Sequence, residues 1–328
     1  MAHSVALLNL VGLSPALIGE HTPAIAEFAR RSGGVRTLRP VFPAVTTSVQ
    51  ASMFTGVEPA HHGIVGNGWF DRSLQEVQFW KQSNKLVEAE KVWETAKARD
   101  ESFTCANICC WYAMYSSCDY TVTPRPIYRA NGGKDPDCWT HPPQLRDQLQ
   151  RALGVFPLFK FWGPGASIES TRWIADAALK VHRDFNPTLS LIYLPHLDYC
   201  LQKLGPGHRE IPYFLKELDH EVARLLEYFD SKNVRVAIVS EYGVVPVDEA
   251  VAPNRALREA GLLSLRIERG REVLDAGASA AFVVADHQIA HVYINDASAH
   301  SRTIACLEAL DGVESIEGNL DHARSGDV

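Results

Sequence analysis

Three short apolar runs, each ending in polar residues, constrain this chain more than any other feature. Val5 to Leu8 leads into Asn9 and Gly12, Leu189 to Leu194 into Pro195-His196-Leu197-Asp198, and Val234 to Val239 into Ser240-Glu241-Tyr242-Gly243. A strand that is apolar all round is buried on both faces, which is the pattern of a parallel sheet covered by helices. Helical spacing between the runs supplies that cover. Thr22-Pro23 opens one helix, with Ile25, Phe28 and Ala29 on a face and Gly33-Gly34 as its stop. Phe214, Leu215, Leu218, Val222, Leu225 and Leu226 stripe a second, over about 212–229. Ligands of open α/β sheets bind beyond the carboxyl ends of the strands, so Asn9, Asp198, Glu241 and Tyr242 are expected to share one cleft.

Composition agrees with such a fold. Of 328 residues 46% are hydrophobic, enough for a large core, and 22 Gly and 18 Pro give no sign of disorder. A net charge of −7 argues against a nucleic-acid partner. No apolar run approaches a membrane span, and the start MAHSVALLNLVGL lacks a basic n-region, so it reads as a core strand with no membrane partner implied. The seven cysteines are odd in number and include no C-x-x-C pair. They are expected as free core thiols in a reducing cytoplasm. Nothing in the sequence bears on oligomeric state.

The chemistry concentrates between Arg39 and Asp71. Pro40 and Pro43 bound an approach that delivers Val45-Thr46-Thr47 to a helix start. A hydroxyl there faces unpaired N–H groups and the positive end of the helix dipole, which suits an arriving phosphoryl group. Thr46 is therefore a candidate nucleophile, the alternative being a capping Thr without chemistry. Further along, a helix is expected around Lys91 to Lys97, and an aromatic, Cys-rich core segment over 103–120. The Pro-rich stretch 121–164 reads as a long loop or lid, followed by a helix over about 167–181. Past residue 254 the pattern gives a helix at 255–260, strands at 281–284 and 292–294, a helix at 298–310 and a strand near 313–316. His287 and His291 are possible additional metal ligands: their spacing suits a helix face, while the flanking Val and Ile suggest a strand, where the two share one side. No full phosphate-binding loop motif occurs.

Thr46, the helix through Thr55-Gly56, then Pro59, His62-Gly63-Ile64 and Asn67 together resemble the nucleotide pyrophosphatase/phosphodiesterase branch of the alkaline phosphatase superfamily. The spacing of its T-G-x-x-P-x-x-H-G-I-x-x-N segment is intact. The resemblance implies an α/β fold with an alkaline phosphatase-like central sheet flanked by helices and a small βαβ-type cap insertion. It divides the chain into a core over 1–253, a cap over 254–318 and a return to the core over 319–328, with a further strand expected beyond His322 that the chain lacks. It implies a metal-dependent hydrolase of a phosphodiester, pyrophosphate or phosphomonoester, acting on a small phosphorylated or nucleotide-like substrate through a phosphothreonine at Thr46. Asn67 is the implied oxyanion donor, with the backbone N–H of Thr46 or Thr47.

The metal site departs from the family pattern. The usual two zinc ions are held by three Asp and three His; here Asp198 and His322 match, and Glu241 keeps a carboxylate. Asn9 stands for an Asp, Gln202 and Tyr242 for His. Zinc prefers nitrogen ligands, so one or two divalent ions are implied with Mn or Mg as alternatives to Zn. A metal-poor binding protein or pseudoenzyme on the same fold is the alternative reading. The missing Cys/Ser-x-Pro-x-Arg segment counts against a sulfatase.

Overall fold

The computed structural model describes residues 3–39 and 41–318, so Pro40 and His322 lie outside the described residues. The chain divides into two units, Met1–Ile64 with Gln82–Pro246, and Val65–Lys81 with Val247–Val328.

The first unit is built on a six-stranded sheet. Its strands are β1 (Val5–Leu10), β2 (Cys105–Ile108), β3 (Tyr120–Pro124), β4 (Cys138–His141), β5 (Leu189–Leu194) and β6 (Arg235–Val239). Their order across the sheet is β6-β1-β5-β2-β3-β4. All neighbours are parallel except β4, which runs antiparallel to β3 at the edge. The three apolar runs are thus adjacent, with Asn9 in register with Val239 on one side and Tyr193 on the other. Ala6, Leu8 and Leu10 are fully buried, each Leu worth about 1.5–3 kcal/mol by area removed from water.

Seven helices matter here: α1 (Pro23–Arg31), α2 (Thr46–Thr55), α3 (Val92–Arg99), α4 (Gln144–Leu153), α5 (Ile168–Phe185), α6 (His196–Leu204) and α7 (Ile211–Ser231). Helix α7 buries Leu215, Leu218, Val222, Leu225 and Phe229, a stripe at helical spacing. Small residues Ala175, Ala177 and Ala178 bring α5 close to β5 and α7. Pro23 has no N–H to cap at the start of α1, and the next two are taken by buried Asp219 of α7, which accepts from Ala24 N–H at 3.0 Å and Ile25 N–H at 2.9 Å.

The stretch 121–164 is not an irregular lid. It holds β3, β4 and α4, because its prolines stand at element boundaries while Leu145 and Leu149 bury one face of α4. All seven cysteines are free thiols, six of them buried. No helix among the described residues is long and apolar enough to cross a membrane.

Among its described residues the second unit is made of hairpins and two α-helices, Pro253–Glu259 and His300–Glu308. Gly68–Asp71 pairs with Glu76–Phe79, Leu265–Glu268 with Arg271–Leu274, and Ala281–Asp286 with Ile289–Ile294, all antiparallel. The expected βαβ arrangement is therefore not found in the cap. Only His287 and Gln288 separate its two longest strands, and His287 sits at φ 58°; a two-residue turn of that kind closes an antiparallel pair, whereas a parallel one needs a crossover of a dozen residues. The expected strand at 313–316 is also absent from the described residues. Val65–Lys81, placed with the core by the sequence, groups here because Phe70 packs edge-on to Phe282 at 4.9 Å and against Tyr293 at 5.5 Å.

Candidate active site

Three adjacent strand ends and one helix start build the site in the first unit. Thr46 is the first residue of α2, preceded by extended Val45 (φ −124°, ψ 160°) as its cap. Its side chain is buried, with the hydroxyl 3.3 Å from the Tyr242 phenol and further hydrogen bonds to Glu241 and Tyr193. Gln50 lies one turn along α2 on the same face. Its Nε2 donates to Glu241 Oε1 at 2.5 Å, while its Oε1 accepts the Trp111 N–H at 2.6 Å. Asn9 at the end of β1 donates its Nδ2 to the same Glu241 oxygen at 2.5 Å.

Glu241 is consequently a buried carboxyl held by neutral donors. Burial pushes its pKa up to about 8, against the opposing effect of hydrogen bonds with Gln50, Asn9 and Thr46, and the nearby Asp198 charge adds to the rise. Without a bound cation it is mostly protonated at neutral pH.

Asp198 occupies the first turn of α6, where the helix dipole favours a carboxylate. Its Oδ1 accepts from the Tyr242 hydroxyl at 3.0 Å and from Gln202 Nε2, four residues along the helix, at 2.8 Å. Burial together with the Asp198 and Glu241 charges drives the Tyr242 pKa well above its usual value, so the phenol keeps its proton. A phenol has one hydrogen to give. Since Tyr242 gives it to Asp198, its oxygen accepts from Thr46, and the three residues form a chain from hydroxyl to carboxylate. Gly12 lies against Asp198 at φ +81°, where a side chain would be strained, and an added Cβ would stand 3.0 Å from Leu201 Cδ1.

Of the residues singled out in the sequence, Asn9, Thr46, Asp198, Gln202, Glu241 and Tyr242 are joined by hydrogen bonds in this unit. Asn67 belongs to the second unit, where its N–H and Nδ2 both bond Asp286. His291 Nε2 lies 2.9 Å from the Val65 carbonyl, and His287, half-exposed, is 3.9 Å from Asp286 Oδ1. Gln50 and Tyr193 were not singled out. The i, i+4 relation of Gln50 to Thr46 was the available signal.

The donor chemistry decides what cation these residues suit. Among the described residues no group of three or more His, Cys, Asp or Glu is placed to hold a metal ion. Among the described residues the site supplies none of the nitrogen or sulfur ligands that a zinc pair wants, and His322, the imidazole that the family pattern assigns to it, lies outside them. The first unit instead offers oxygen alone: the Asp198 and Glu241 carboxylates, the Thr46 hydroxyl and the Asn9 carbonyl. Asn9 Oδ1 and Glu241 Oε2 are buried without a hydrogen-bond partner. Two orphaned oxygens on bonded neighbours fit a hard ion such as Mg²⁺ or Mn²⁺. A cavity of about 580 Å³, lined by Tyr199, Phe214, Pro164 and His196 among others, adjoins the site through Gln202, which also lines it.

The fold has close counterparts among solved structures. Phosphonoacetate hydrolase from Sinorhizobium meliloti 1021, solved with phosphonoformate, superposes with a TM-score of 0.64 at 19% identity, over 98% of this chain and 76% of that one. Murine ectonucleotide pyrophosphatase/phosphodiesterase 5, an inactive form in complex with AMP, gives 0.58 at 15% identity, over 93% and 69%. In sequence, an uncharacterized pyrophosphatase/phosphodiesterase of Schizosaccharomyces pombe is 24% identical over 239 residues, 70% of this chain and 42% of the relative. Human ectonucleotide pyrophosphatase/phosphodiesterase family member 1 is 21% identical over 231 residues, 68% of this chain and 21% of the relative. The chain thus spans less than half the length of either. Residues 5–326 match the family model of type I phosphodiesterase / nucleotide pyrophosphatase, and on that match across nearly its whole length the chain belongs to this family.

Proposed function

We propose that the chain hydrolyses a small phosphorylated or nucleotide-like substrate, a phosphodiester, pyrophosphate or phosphomonoester, through a phosphothreonine at Thr46. The observation that carries this reading is the hydrogen-bond chain from Thr46 Oγ1 through the Tyr242 hydroxyl to Asp198 Oδ1. When Thr46 Oγ1 attacks phosphorus, its proton passes to the Tyr242 oxygen as the Tyr242 proton passes to Asp198. The phenol is neutral before and after, in keeping with its raised pKa. The bond from phosphorus to the leaving oxygen breaks, that oxygen takes a proton from solvent, and water then cleaves the phosphothreonine.

Asn9, Glu241, Asp198 and Thr46 would hold a hard divalent cation. Such an ion, when bound, supplies positive charge that acidifies the hydroxyl and draws electron density from phosphorus. In the cation-free site, protonated Glu241 removes one negative charge from the path of an anionic substrate. The N-terminus of α2 directs its first N–H groups to the same place. The cavity beside Gln202 takes the organic part of the substrate, with Tyr199 and Phe214 as aromatic lining.

A second reading, a metal-poor binding protein, is favoured by one observation: each site carboxylate is already engaged by neutral donors, Glu241 by Asn9 and Gln50, Asp198 by Tyr242 and Gln202. Turnover of bis(p-nitrophenyl) phosphate with Mg²⁺ or Mn²⁺ separates the two. Thr46→Ala should abolish turnover and leave the unfolding midpoint in place. An unchanged rate removes Thr46 from the mechanism, and no turnover by the unmodified protein with any divalent ion selects the binding protein.

A further inference from the structure

We propose that Gln50 sets which divalent cation the site prefers. With Asn9 it occupies one oxygen of Glu241 and leaves the other as that carboxylate's single ligand atom, an arrangement that favours a small ion such as Mg²⁺ or Mn²⁺ over Ca²⁺. The inference rests on the oxygen-donor cation site given above. Gln50 lies in α2 one turn beyond Thr46, and its Nε2 donates to Glu241 Oε1 at 2.5 Å. Asn9 Nδ2 donates to the same oxygen, also at 2.5 Å. All three side chains are buried, Gln50 at 1% exposure, Asn9 at 0% and Glu241 at 5%.

Each oxygen of a carboxylate accepts through a pair of lone pairs. Two amide donors on Oε1 use both, whereas Oε2 is buried with no hydrogen-bond partner among the described residues. A cation therefore draws on Glu241 through Oε2 alone. That limit separates ions by size. Ca²⁺ gathers about six to eight oxygens and readily takes both from one carboxylate, while Mg²⁺ holds fewer, closer ligands and keeps several waters among them.

The direction of the Gln50 amide is fixed from its other end. Its Oε1 accepts the Trp111 backbone N–H at 2.6 Å, and since an N–H only donates, the atom facing it is the amide oxygen. Nε2 is then the atom turned to Glu241. Trp111 is itself held in a tight turn after β2: Asn107 Oδ1 accepts the Cys110 N–H at 3.0 Å, and Cys109 and Tyr112 stand at φ 65° and 52°. Residues other than glycine adopt such angles rarely, and only where their surroundings hold them. Turn, Gln50 and Glu241 thus make one line of contacts from the end of β2 to the cation ligand.

Cation binding to the whole chain, stripped with EDTA and free of substrate, tests the inference. Mn²⁺ uptake is followed at pH 8 by loss of the free-ion electron paramagnetic resonance signal, and Mg²⁺ or Ca²⁺ is then titrated in to displace it. The unmodified protein should hold Mg²⁺ more tightly than Ca²⁺ by about tenfold or more. Gln50→Met removes both bonds at similar length and frees Glu241 Oε1. It should move the ratio of the two dissociation constants toward Ca²⁺ by about tenfold. A merely structural Gln50 would weaken both ions alike and leave the ratio in place, which overturns the proposal. Should Gln50→Met not fold, Gln50→Asn decides instead: one methylene shorter, it keeps an acceptor for the Trp111 N–H without also reaching Glu241, and an unchanged ratio has the same meaning. If the unmodified protein takes up Mn²⁺ but holds Ca²⁺ as tightly as Mg²⁺, the inference fails while the cation site stands. If it takes up no Mn²⁺ at millimolar concentration, the cation site itself fails and the inference with it.

Discussion

Replacing Glu241 by glutamine should make the cation-free protein more stable at pH 8 and leave it nearly unchanged at pH 5. The native carboxyl titrates at about 8, against an ordinary glutamate value of 4.5 that holds in the unfolded chain. Between those values the folded protein binds a proton that the unfolded chain does not, so stability falls as pH rises. What the buried carboxyl contributes is present in full below the unfolded value and is lost as pH climbs through the folded one. Each pH unit in that window costs about 1.4 kcal/mol, which sums to several kcal/mol across it. Glutamine imitates the protonated acid: its carbonyl can still accept from Asn9 Nδ2 and Gln50 Nε2, and it carries no charge to desolvate. The assay is urea unfolding with EDTA at half-unit steps from pH 5 to 8, for both proteins. Native stability should slope downward and that of Glu241→Gln should be flat by comparison. Equal slopes would refute the reasoning, since they would mean that Glu241 is ionised in the folded protein over the whole range.

Tyr242→Phe removes the hydroxyl between Thr46 and Asp198; kcat should fall by about 10²–10⁴-fold, the usual share of positioned proton transfer, and a loss under threefold would dismiss the relay. Unfolding should show a smaller penalty, about 1–3 kcal/mol, because Asp198 keeps its bond from Gln202. Asn9→Asp with Tyr242→His supplies a carboxylate and an imidazole at two departing positions, and should raise retained zinc after dialysis above that of the unmodified protein. Two tightly held zinc ions in the unmodified protein, measured by elemental analysis, would contradict the all-oxygen assignment.

The sheet was legible where burial leaves its mark on sequence. A strand covered on both faces cannot hide its apolar run, so β1 and β5 are evident, as is the hydrophobic stripe of α7, while the edge strand β6, half-buried past Arg235, carries an apolar run as well. The stretch 121–164 misled because proline marks both loops and element boundaries; only the burial of Leu145 and Leu149 separates the two. The cap misled for a related reason. Its two-residue turn is His287-Gln288, with none of the Asn-Gly composition that announces a hairpin. Asp286 left no trace either, since its bond to Asn67 spans 219 residues of sequence.

The departures from the family's ligand pattern are more informative taken together than singly. Asn9 donates to Glu241, which also receives Gln50, while Tyr242 and Gln202 both donate to Asp198. Every substituted residue is therefore the hydrogen-bond partner of a carboxylate. Had ligands been lost one at a time without replacement, buried Glu241 and Asp198 would face each other with neither cation nor donor, at a cost of several kcal/mol. Instead, two amides stand on one carboxyl and an amide with a phenol on the other, so the same cleft folds without a metal. Of the two residues that stand for zinc's nitrogen ligands, Tyr242 is also the one that bonds both Thr46 and Asp198. That double role is the reason we propose weaker cation binding by oxygen donors and a side-chain proton path for this site, and it gives the Tyr242→Phe measurement its weight. Loss of turnover with little loss of stability would mean that the phenol took over work the imidazole's metal had done, whereas the reverse would make it a packing element in a site without chemistry.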